Sequence, residues 1–257
     1  MRYLNSPKSE DPGALTLNQA EENSKQARNI NILFKSGERV RQKNIGINYQ
    51  IELNPKLNVS IKLGGIQRFF SNRLPFETGG TVNLFRSALD VGGKAVFDWQ
   101  YINLKIRSIT GIDLLTQFDD RKRFNNLQGK RGLLSFEQDE DVISNGIYFR
   151  NEIDIRKKLG VGFGIRYDRS RFKIRDHFTT NGDQSGTRSL DAWSGSIGTI
   201  WQVNKKFNIF GNFSTALETP TVIELTNNPS GFGGLNPNLG PQYSFSYEIG
   251  IKGKVST

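Results

Sequence analysis

The sequence contains no cysteine, and this absence excludes several classes of protein at once. Among its 257 residues there is also only one histidine, His177. Without cysteine the chain has no disulfide framework, zinc ribbon, iron–sulfur cluster or thiol nucleophile. With one histidine it has no histidine-based metal cluster, and at most one catalytic arrangement that depends on histidine. No motif pairs His177 with a serine nucleophile, so no catalytic residue is expected, and no metal site or cofactor is expected either.

Long apolar runs are missing as well. No stretch approaches the roughly 18 unbroken apolar residues of a spanning helix. Only 35% of the residues are hydrophobic, and the mean hydropathy is -0.51. Charge is plentiful, because 35 Lys and Arg residues against 25 Asp and Glu residues give a net charge of +10. A basic balance of this size favours nucleic acid, or an anionic surface or ligand, as a partner.

Apolar and polar residues alternate along most of the chain. In residues 45–53 and 243–251 every odd position is apolar or aromatic, and the even positions are small or polar. This period of two is typical of a strand with one apolar and one wet face. It predicts about nine strands, at residues 38–53, 57–70, 91–101, 104–118, 142–156, 159–175, 188–203, 206–217 and 241–253. Met1 to Leu4 is read as the end of an earlier strand. In the first long connection, Leu15 to Arg28 is read as a short helix with a capping box at Asn18 and Glu21.

The lengths of the strands and of their connections indicate a membrane protein. Most predicted strands have about ten residues or more, whereas soluble sheets have a mode of roughly five or six, and a tilted strand needs about nine to eleven to cross a bilayer. Connections of two or three residues alternate with long segments that start at Ser71, Asp119, Asp176 and Glu218. Outer-membrane barrels have short periplasmic turns and long extracellular loops. The sequence therefore predicts an all-β fold, an antiparallel transmembrane β-barrel segment in the outer membrane.

About nine strands cannot close a bacterial barrel, which has an even number of them. An open sheet edge in lipid would leave a row of unpaired backbone groups. We therefore expect residues 1–257 to be one part of a longer barrel domain.

Several segments carry a family likeness. Residues 212–221 (NFSTALETPT), followed by Glu-Leu at 224–225, resemble the strand-to-loop signature of TonB-dependent outer-membrane receptors. Residues 236–242 (NPNLGPQ) and 247–253 (YEIGIKG) are similar to that family's next signature, in the right order. Residues 164–168 (GIRYD) resemble its recurrent Gly-x-Arg-Tyr-Asp strand. Ser6-Pro7 and Asp11 to Thr16 resemble an outer loop of siderophore-type members, particularly the ferric-citrate receptor group.

The resemblance implies a transporter and not an enzyme. A complete member of the family is a barrel of about 22 strands with a plug in its lumen, and it imports a ferric siderophore or similar iron chelate with energy from the inner membrane. This chain would supply the central and late part of that barrel, with the plug domain and the C-terminal strands absent. It would contact the TonB system only through the missing plug. Gly240 departs from the family pattern, which usually has Lys there.

Two sets of side chains are candidates for function. An anionic iron chelate favours fixed positive charge at the outer mouth, and the donor fork of Arg suits carboxylate or catecholate oxygens. The candidates for ligand contact in the predicted outer loops are Arg121, Arg123, Lys130, Arg131 and His177. A solvated rim that faces outer-membrane lipid and lipopolysaccharide is the alternative explanation for these charges. The candidates for the lumen or for plug contact are Arg150, Arg166, Glu248 and Lys252.

We expect the arginines of this second set, Arg150 and Arg166, to pair across strands with Asp168, Glu152 or Asp154. Two other functions stay open at this point. One is a passive porin or an enzyme on a similar barrel, and the other is a soluble basic β protein that binds nucleic acid. No recognition helix, RNP-like strand or zinc-finger pattern supports the last of these, so no nucleic-acid partner is expected.

Overall fold

The computed structural model contains ten antiparallel strands in one sheet, and their order in space is their order in the sequence. The structure describes residues 1–156, 158–229 and 233–253. The strands are β1 Arg2–Glu10, β2 Gly37–Asn54, β3 Leu57–Arg73, β4 Thr81–Tyr101, β5 Leu104–Leu127, β6 Lys130–Ile155, β7 Leu159–Asp176, β8 Gly186–Asn204, β9 Phe207–Glu218 and β10 Gln242–Gly253. Within these residues the sheet is not closed, and β1 and β10 form its two edges. The predicted all-β antiparallel fold is confirmed. The earlier strand expected to end within Met1 to Leu4 is present as β1, but it continues to Glu10.

The largest error of the sequence analysis lies at residues 119–141, which were expected to form a long loop. Instead β5 and β6 continue as a hairpin to a turn at Gln128 and Gly129, whose φ angles of 50° and 87° are both positive. Two positive φ angles are what a tight type I′ hairpin turn requires. Arg121 and Arg123 therefore lie in β5, and Lys130 and Arg131 begin β6, so none of the four is a loop residue. β3 and β4 also extend into their predicted loop, which shortens to residues 74–80.

The connections at the two ends of the sheet differ in length. At one end the strands are joined at residues 55–56, 102–103, 156–158 and 205–206. At the other end the connections include residues 11–36, 177–185 and 219–241. The expected alternation therefore survives, although the β5–β6 hairpin replaces one long loop. Because outer-membrane barrels have their tight turns on the periplasmic side, we call the second end the outer end.

Short helices occur only in the long connections of the described chain. The first connection contains α1 Leu17–Asn23 and α2 Asn29–Leu33, and the last contains α3 Val222–Thr226. The helix expected between Leu15 and Arg28 is thus present, but its capping box is formed by Thr16 and Gln19 and not by Asn18 and Glu21. The cap lies earlier because the chain is already helical at Leu17. In the part of the chain that the structure describes, no helix has the length and apolar character needed to cross a membrane.

The two faces of the sheet have opposite character. Odd-numbered positions of β2, β3, β4 and β7 and their partners in the ladder form one face, which we call the outward face. Its exposed apolar side chains include Ile45, Ile47, Leu53, Ile61, Leu63, Phe97, Trp99, Ile147, Phe163, Ile165, Ile197, Trp201, Phe245 and Ile249. Soluble monomers rarely expose contiguous apolar patches larger than a few hundred Å². This face is therefore stable only against a second apolar medium.

Candidate functional site

The opposite face, which we call the inner face, is concave and polar. Near its middle lies a cavity of about 640 Å³, lined by side chains of β2 to β9 that include Lys62, Asp113, Tyr148, Arg150 and Arg166. We call this cavity the inner niche. The residues meet there because each occupies an inner-face position of its strand, as the pairing of Tyr148 with Arg166 shows.

Arg166 is the centre of the ion pairs in the inner niche. Its Nε lies 2.7 Å from Asp168 Oδ2, and its Nη1 lies 2.9 Å from Asp113 Oδ2 on β5. Lys62 reaches the same Asp113 across 3.4 Å and Asp90 across 3.0 Å. Gly146 permits this arrangement, because a Cβ there would collide with the Arg166 guanidinium. The network joins β3, β4, β5 and β7, so it fixes their lateral order on the inner face.

The carboxylate partners expected for these two arginines are confirmed, but the geometry of the pairs differs from the prediction. Arg166 does pair with Asp168, and Arg150 Nη2 lies 2.9 Å from Glu152 Oε1. Each pair lies within one strand and not across two strands, because positions two residues apart share a face and their side chains lean along the strand. The cross-strand partner of Arg166 is Asp113, which needs the register of three strands to be known.

Glu248 and Lys252 lie on the edge strand β10. Glu248 accepts a hydrogen bond of 2.6 Å from Asn212 Nδ2 on β9. Lys252 is exposed and pairs in register with Asn208. The strand therefore continues the inner face, and its role in contact with a plug stays a prediction.

Four arginines lie on the inner face nearer the outer end, and we call them the upper arginine group: Arg68, Arg86, Arg121 and Arg123. Arg86 Nη2 is 2.6 Å from Asp119 Oδ2, and Arg121 Nε is 2.5 Å from Glu140 Oε1. Both carboxylates are buried, with 0% and 1% of their surface exposed. Among the described residues, Nε of Arg68 and Nε of Arg123 have no hydrogen-bond acceptor. Two carboxylates thus neutralise two of the four positive charges.

The five candidates for ligand contact do not converge on one point. Arg121 and Arg123 belong to the upper arginine group. Lys130 is exposed at the hairpin tip, and the Arg131 guanidinium lies 3.4 Å from the centre of the Phe124 ring. His177 is half-exposed, with Nε2 3.1 Å from Asp139 Oδ2.

Arg68 and Arg86 were not among the residues predicted for the site. Arg68 lies at a polar-face position of the predicted strand 57–70, so the alternation of the two faces alone could have identified it. Arg86 fell inside an expected loop, and no pattern in the sequence marked it.

The β9–β10 connection folds onto the inner face instead of extending into solvent. Val222 and Leu225 of α3 pack against the wall residues Val142, Phe172, Ile174 and Leu190. Leu235 and Leu239 pack against the same cluster. Hydrogen bonds hold the chain there, from Arg188 Nη2 to the Pro237 carbonyl (2.9 Å) and from the Asn236 amide to the Leu225 carbonyl (2.6 Å). We call residues 219–229 and 233–241 the α3 strap.

The N-terminus of α3 predicts a pH dependence. Thr221 and Glu224 form a capping box, and the Thr221 amide donates to Glu224 Oε2 across 2.7 Å. This backbone hydrogen bond, followed by that of the Thr221 hydroxyl, lowers the pKa of Glu224 below its ordinary value of 4.5. A lowered pKa adds stability that is complete above the ordinary value and is lost as the pH falls through the lowered one. We expect the start of α3 to loosen only in acid, at a pH below the ordinary pKa of 4.5.

A dye attached to a cysteine at Ile223 can measure this, since the chain has no other cysteine. Its anisotropy should fall at acid pH in the otherwise native protein. Glu224→Gln keeps a hydrogen-bond acceptor but cannot titrate, so its anisotropy should stay level over the same range. An acid transition of equal size in Glu224→Gln would contradict the assignment to this carboxylate.

The architecture defines a class of protein. Long antiparallel strands have an apolar outward face and a charged inner face. At one end every connection is a short turn, and the long connections lie at the other end, as in the wall of an outer-membrane β-barrel. The family model described as TonB dependent receptor-like, beta-barrel, matches residues 2–257. The chain belongs to this family, whose members are transporters of the outer membrane and not enzymes.

Solved structures agree with this fold. The chain is similar to the ferric citrate transporter FecA in its unliganded form, with a TM-score of 0.80 and 14% identity over 97% of this chain and 37% of that one. It is also similar to the siderophore receptor PiuA from Acinetobacter baumannii, with a TM-score of 0.68 and 11% identity over 84% of this chain and 38% of that one. A variant of the Serratia marcescens hemophore receptor HasR gives a TM-score of 0.63 and 14% identity over 84% of this chain and 36% of that one. At such identities the likeness is one of fold, and this chain spans less than two fifths of each relative.

Proposed function

We propose that this chain is part of the wall of an outer-membrane receptor that takes up a ferric siderophore or a similar iron chelate with energy from the TonB system. The family match over nearly the whole chain supports this proposal. The relatives named as a ferric citrate transporter and as a siderophore receptor support the class of ligand. The observation that carries it is the upper arginine group, because a surplus of guanidinium groups on the inner face near the outer end suits an anionic chelate.

The remaining strands of the barrel, and a plug, would come from other parts of the same protein. β1 and β10 each have one unpartnered edge within the described sheet, and unpaired backbone groups in lipid cost several kcal/mol each. Further strands would pair with these edges. Arg150, Arg166, Glu248 and Lys252 would face the plug across the lumen, and the plug would contact TonB.

The candidates for ligand contact take different parts in this proposal. Arg123 and Arg68 would attract the chelate through their charge, because among the described residues neither is paired with a carboxylate as Arg86 and Arg121 are. Arg121 would not contact the chelate directly, because Glu140 pairs with its guanidinium and both side chains are buried in the wall. Lys130, Arg131 and His177 would form an outer rim that attracts the anion before it enters.

Growth and uptake measurements test the function. Iron-starved cells that carry the complete receptor as their only one would be supplied with ferric citrate, a ferric tris-catecholate, a ferric tris-hydroxamate or hemin. We expect growth and uptake of labelled iron with at least one of these, and loss of both when TonB is deleted. Growth on none would contradict the class of ligand. Uptake that persists without TonB would instead indicate a passive channel.

The role of the upper arginine group is tested by Arg123→Gln with Arg107→Gln as a matched control. Both arginines lie on the inner face of β5, but Arg107 lies at the periplasmic end beside Asp98. A hydrogen bond from a charged donor contributes about 1.5–3 kcal/mol, so Arg123→Gln should raise the chelate concentration for half-maximal uptake at least about tenfold. Arg107→Gln should change it by less than about twofold, because an exposed pair contributes little. If both variants weakened uptake equally, the upper arginine group would have no special role in binding the chelate, and this part of the proposal would be wrong.

A further inference from the structure

A row of cations lies on the outward face of β2, directly beyond its apolar part. From Leu53 to Ile45 the outward positions are apolar or aromatic, and the next three are Lys43, Arg41 and Arg39. All three side chains are exposed. Alternate residues on one face of a strand are about 6.6–6.8 Å apart. We call these three residues the outer cation ladder.

No carboxylate lies directly opposite Lys43 or Arg41 in the neighbouring strands. Glu10 of β1 lies opposite Gly37, one position beyond Arg39 on the same face, and it pairs with Lys8. Lys43 pairs in register with Tyr3 and Gln67, and Arg41 pairs with Asn5 and Phe69. Arg39 pairs with Ser71. The Arg41 guanidinium lies 5.2 Å from the centre of the Phe69 ring, and among the described residues no ladder cation forms an ion pair. The protein therefore leaves this positive charge for an external anion.

A cavity of about 1130 Å³ lies immediately above the ladder, between the outer ends of β2 to β4 and the β1–β2 connection. Its charged lining residues are the cations Lys8, Lys35, Arg39, Arg73 and Arg131 and the carboxylates Glu10, Asp11 and Glu38. Glu10 is paired with Lys8, and Asp11 accepts a hydrogen bond from the Gly13 amide. The cavity thus has a net positive charge and the size of a site for a small molecule or a headgroup.

A comparable row on β7 differs in one respect. Arg169, Arg171 and Lys173 are also exposed on the outward face, and they follow the Tyr167 ring that packs on Trp193. However, the Asp191 position lies opposite Arg169, and the Asp141 position lies opposite Lys173. The β7 row therefore has carboxylates directly opposite two of its cations, whereas Arg41 and Lys43 of the β2 ladder have none directly opposite.

We propose that the outer cation ladder and the cavity above it bind the phosphate groups of a phosphorylated lipid headgroup in the outer leaflet. The Arg guanidinium fork fits phosphate oxygens, and cations near an anionic membrane surface strengthen binding to it. The acyl chains of the lipid would lie along Ile45 and Ile47 of the same face. A soluble anion would make no use of this apolar strip, and that continuity selects a lipid. The inference rests on the outer-membrane placement of the chain and not on which chelate is imported.

The test compares two triple variants of the complete receptor in a non-ionic detergent. In the first, Arg39→Gln, Arg41→Gln and Lys43→Gln remove the ladder. In the second, Arg169→Gln, Arg171→Gln and Lys173→Gln remove the same charge from β7. Native mass spectrometry with added diphosphorylated lipid A would give the lipid affinity, with dephosphorylated lipid A and inorganic phosphate as further probes.

We expect the ladder variant to bind diphosphorylated lipid A at least about tenfold more weakly than the parent protein, and the β7 variant to change by less than about threefold. Equal losses would overturn the proposal in favour of unspecific attraction, and no loss in the ladder variant would overturn it outright. Undiminished binding of dephosphorylated lipid A, or full displacement by millimolar phosphate, would also overturn it. If the triple variant does not fold, Arg41→Gln alone should still weaken binding. Iron uptake by the ladder variant should be unchanged. Failure of the lipid proposal would therefore leave the proposed uptake of an iron chelate untouched, and the reverse also holds.

Discussion

Replacement of Glu140 by glutamine is expected to lower the free energy of unfolding by about 3–5 kcal/mol. Glu140 and Arg121 are both buried, with 1% and 8% of their side-chain surfaces exposed. Gln138 Nε2 also donates to Glu140 across 2.6 Å. Glutamine keeps the shape of the side chain but removes its charge, so the guanidinium of Arg121 would stay buried without a counter-charge. An unpaired buried charge costs far more than the net contribution of the intact pair.

Equilibrium unfolding by guanidinium in lipid vesicles would measure this loss. Glu152→Gln is the matched control, because it breaks the Arg150 pair on the same strand and face, where the side chains are 59% and 44% exposed. That change should cost about 0–1 kcal/mol. The double variant Arg121→Met with Glu140→Leu should recover most of the loss, since apolar residues can replace a buried pair. Similar losses in Glu140→Gln and Glu152→Gln would contradict the burial of the upper pair.

Leu225→Ala is expected to weaken the attachment of the α3 strap by about 2–4 kcal/mol. Leu225 has no exposed surface and packs into the cluster around Phe172, Ile174 and Leu190. Alanine would remove most of that contact and leave a cavity beside the wall. The strap has no strand pairing of its own to replace the lost packing, so we expect it to detach while the sheet stays folded.

Amide hydrogen exchange would locate the effect. Exchange should become faster in residues 219–229 and 233–241, and the strands β7 and β8 should be unchanged. Ile223→Ala is the matched control, because Ile223 lies in the same short helix with 54% of its surface exposed. If the two variants exchange alike, the strap is not held by its apolar cluster.

The parts of the fold that could be predicted are those on which the bilayer acts. Between about Ile45 and Leu53, one face must be apolar and the other wet, so the sequence alternates and reveals the strand. At residues 119–141 the strands continue beyond the apolar belt, where both faces carry polar residues, and the alternation disappears although the pairing does not. The hairpin turn at Gln128 and Gly129 is therefore seen in the structure and was not predicted.

The candidate site divides in the same way. The alternation of residues placed Arg150 and Arg166 on the polar face. Their carboxylate partners could be predicted as well, because each lies only two residues away in the same strand. The contact of Arg166 with Asp113 depends on the register of three strands. The packing of Leu225 on Phe172 joins a connection to a wall far away in sequence. Neither is encoded in a local period, and no sequence argument from one chain reaches them.

The strand order of the sheet has a consequence for how the protein enters the membrane. Each strand pairs only with the strands before and after it in the chain, so the sheet can grow by adding one hairpin at a time. A growing sheet has two unpaired edges whatever its size, while its apolar area increases with every strand. The penalty of the edges in lipid is therefore roughly constant, and the favourable transfer of apolar surface accumulates. Each added hairpin should therefore insert more favourably than the one before it, whichever strand comes first.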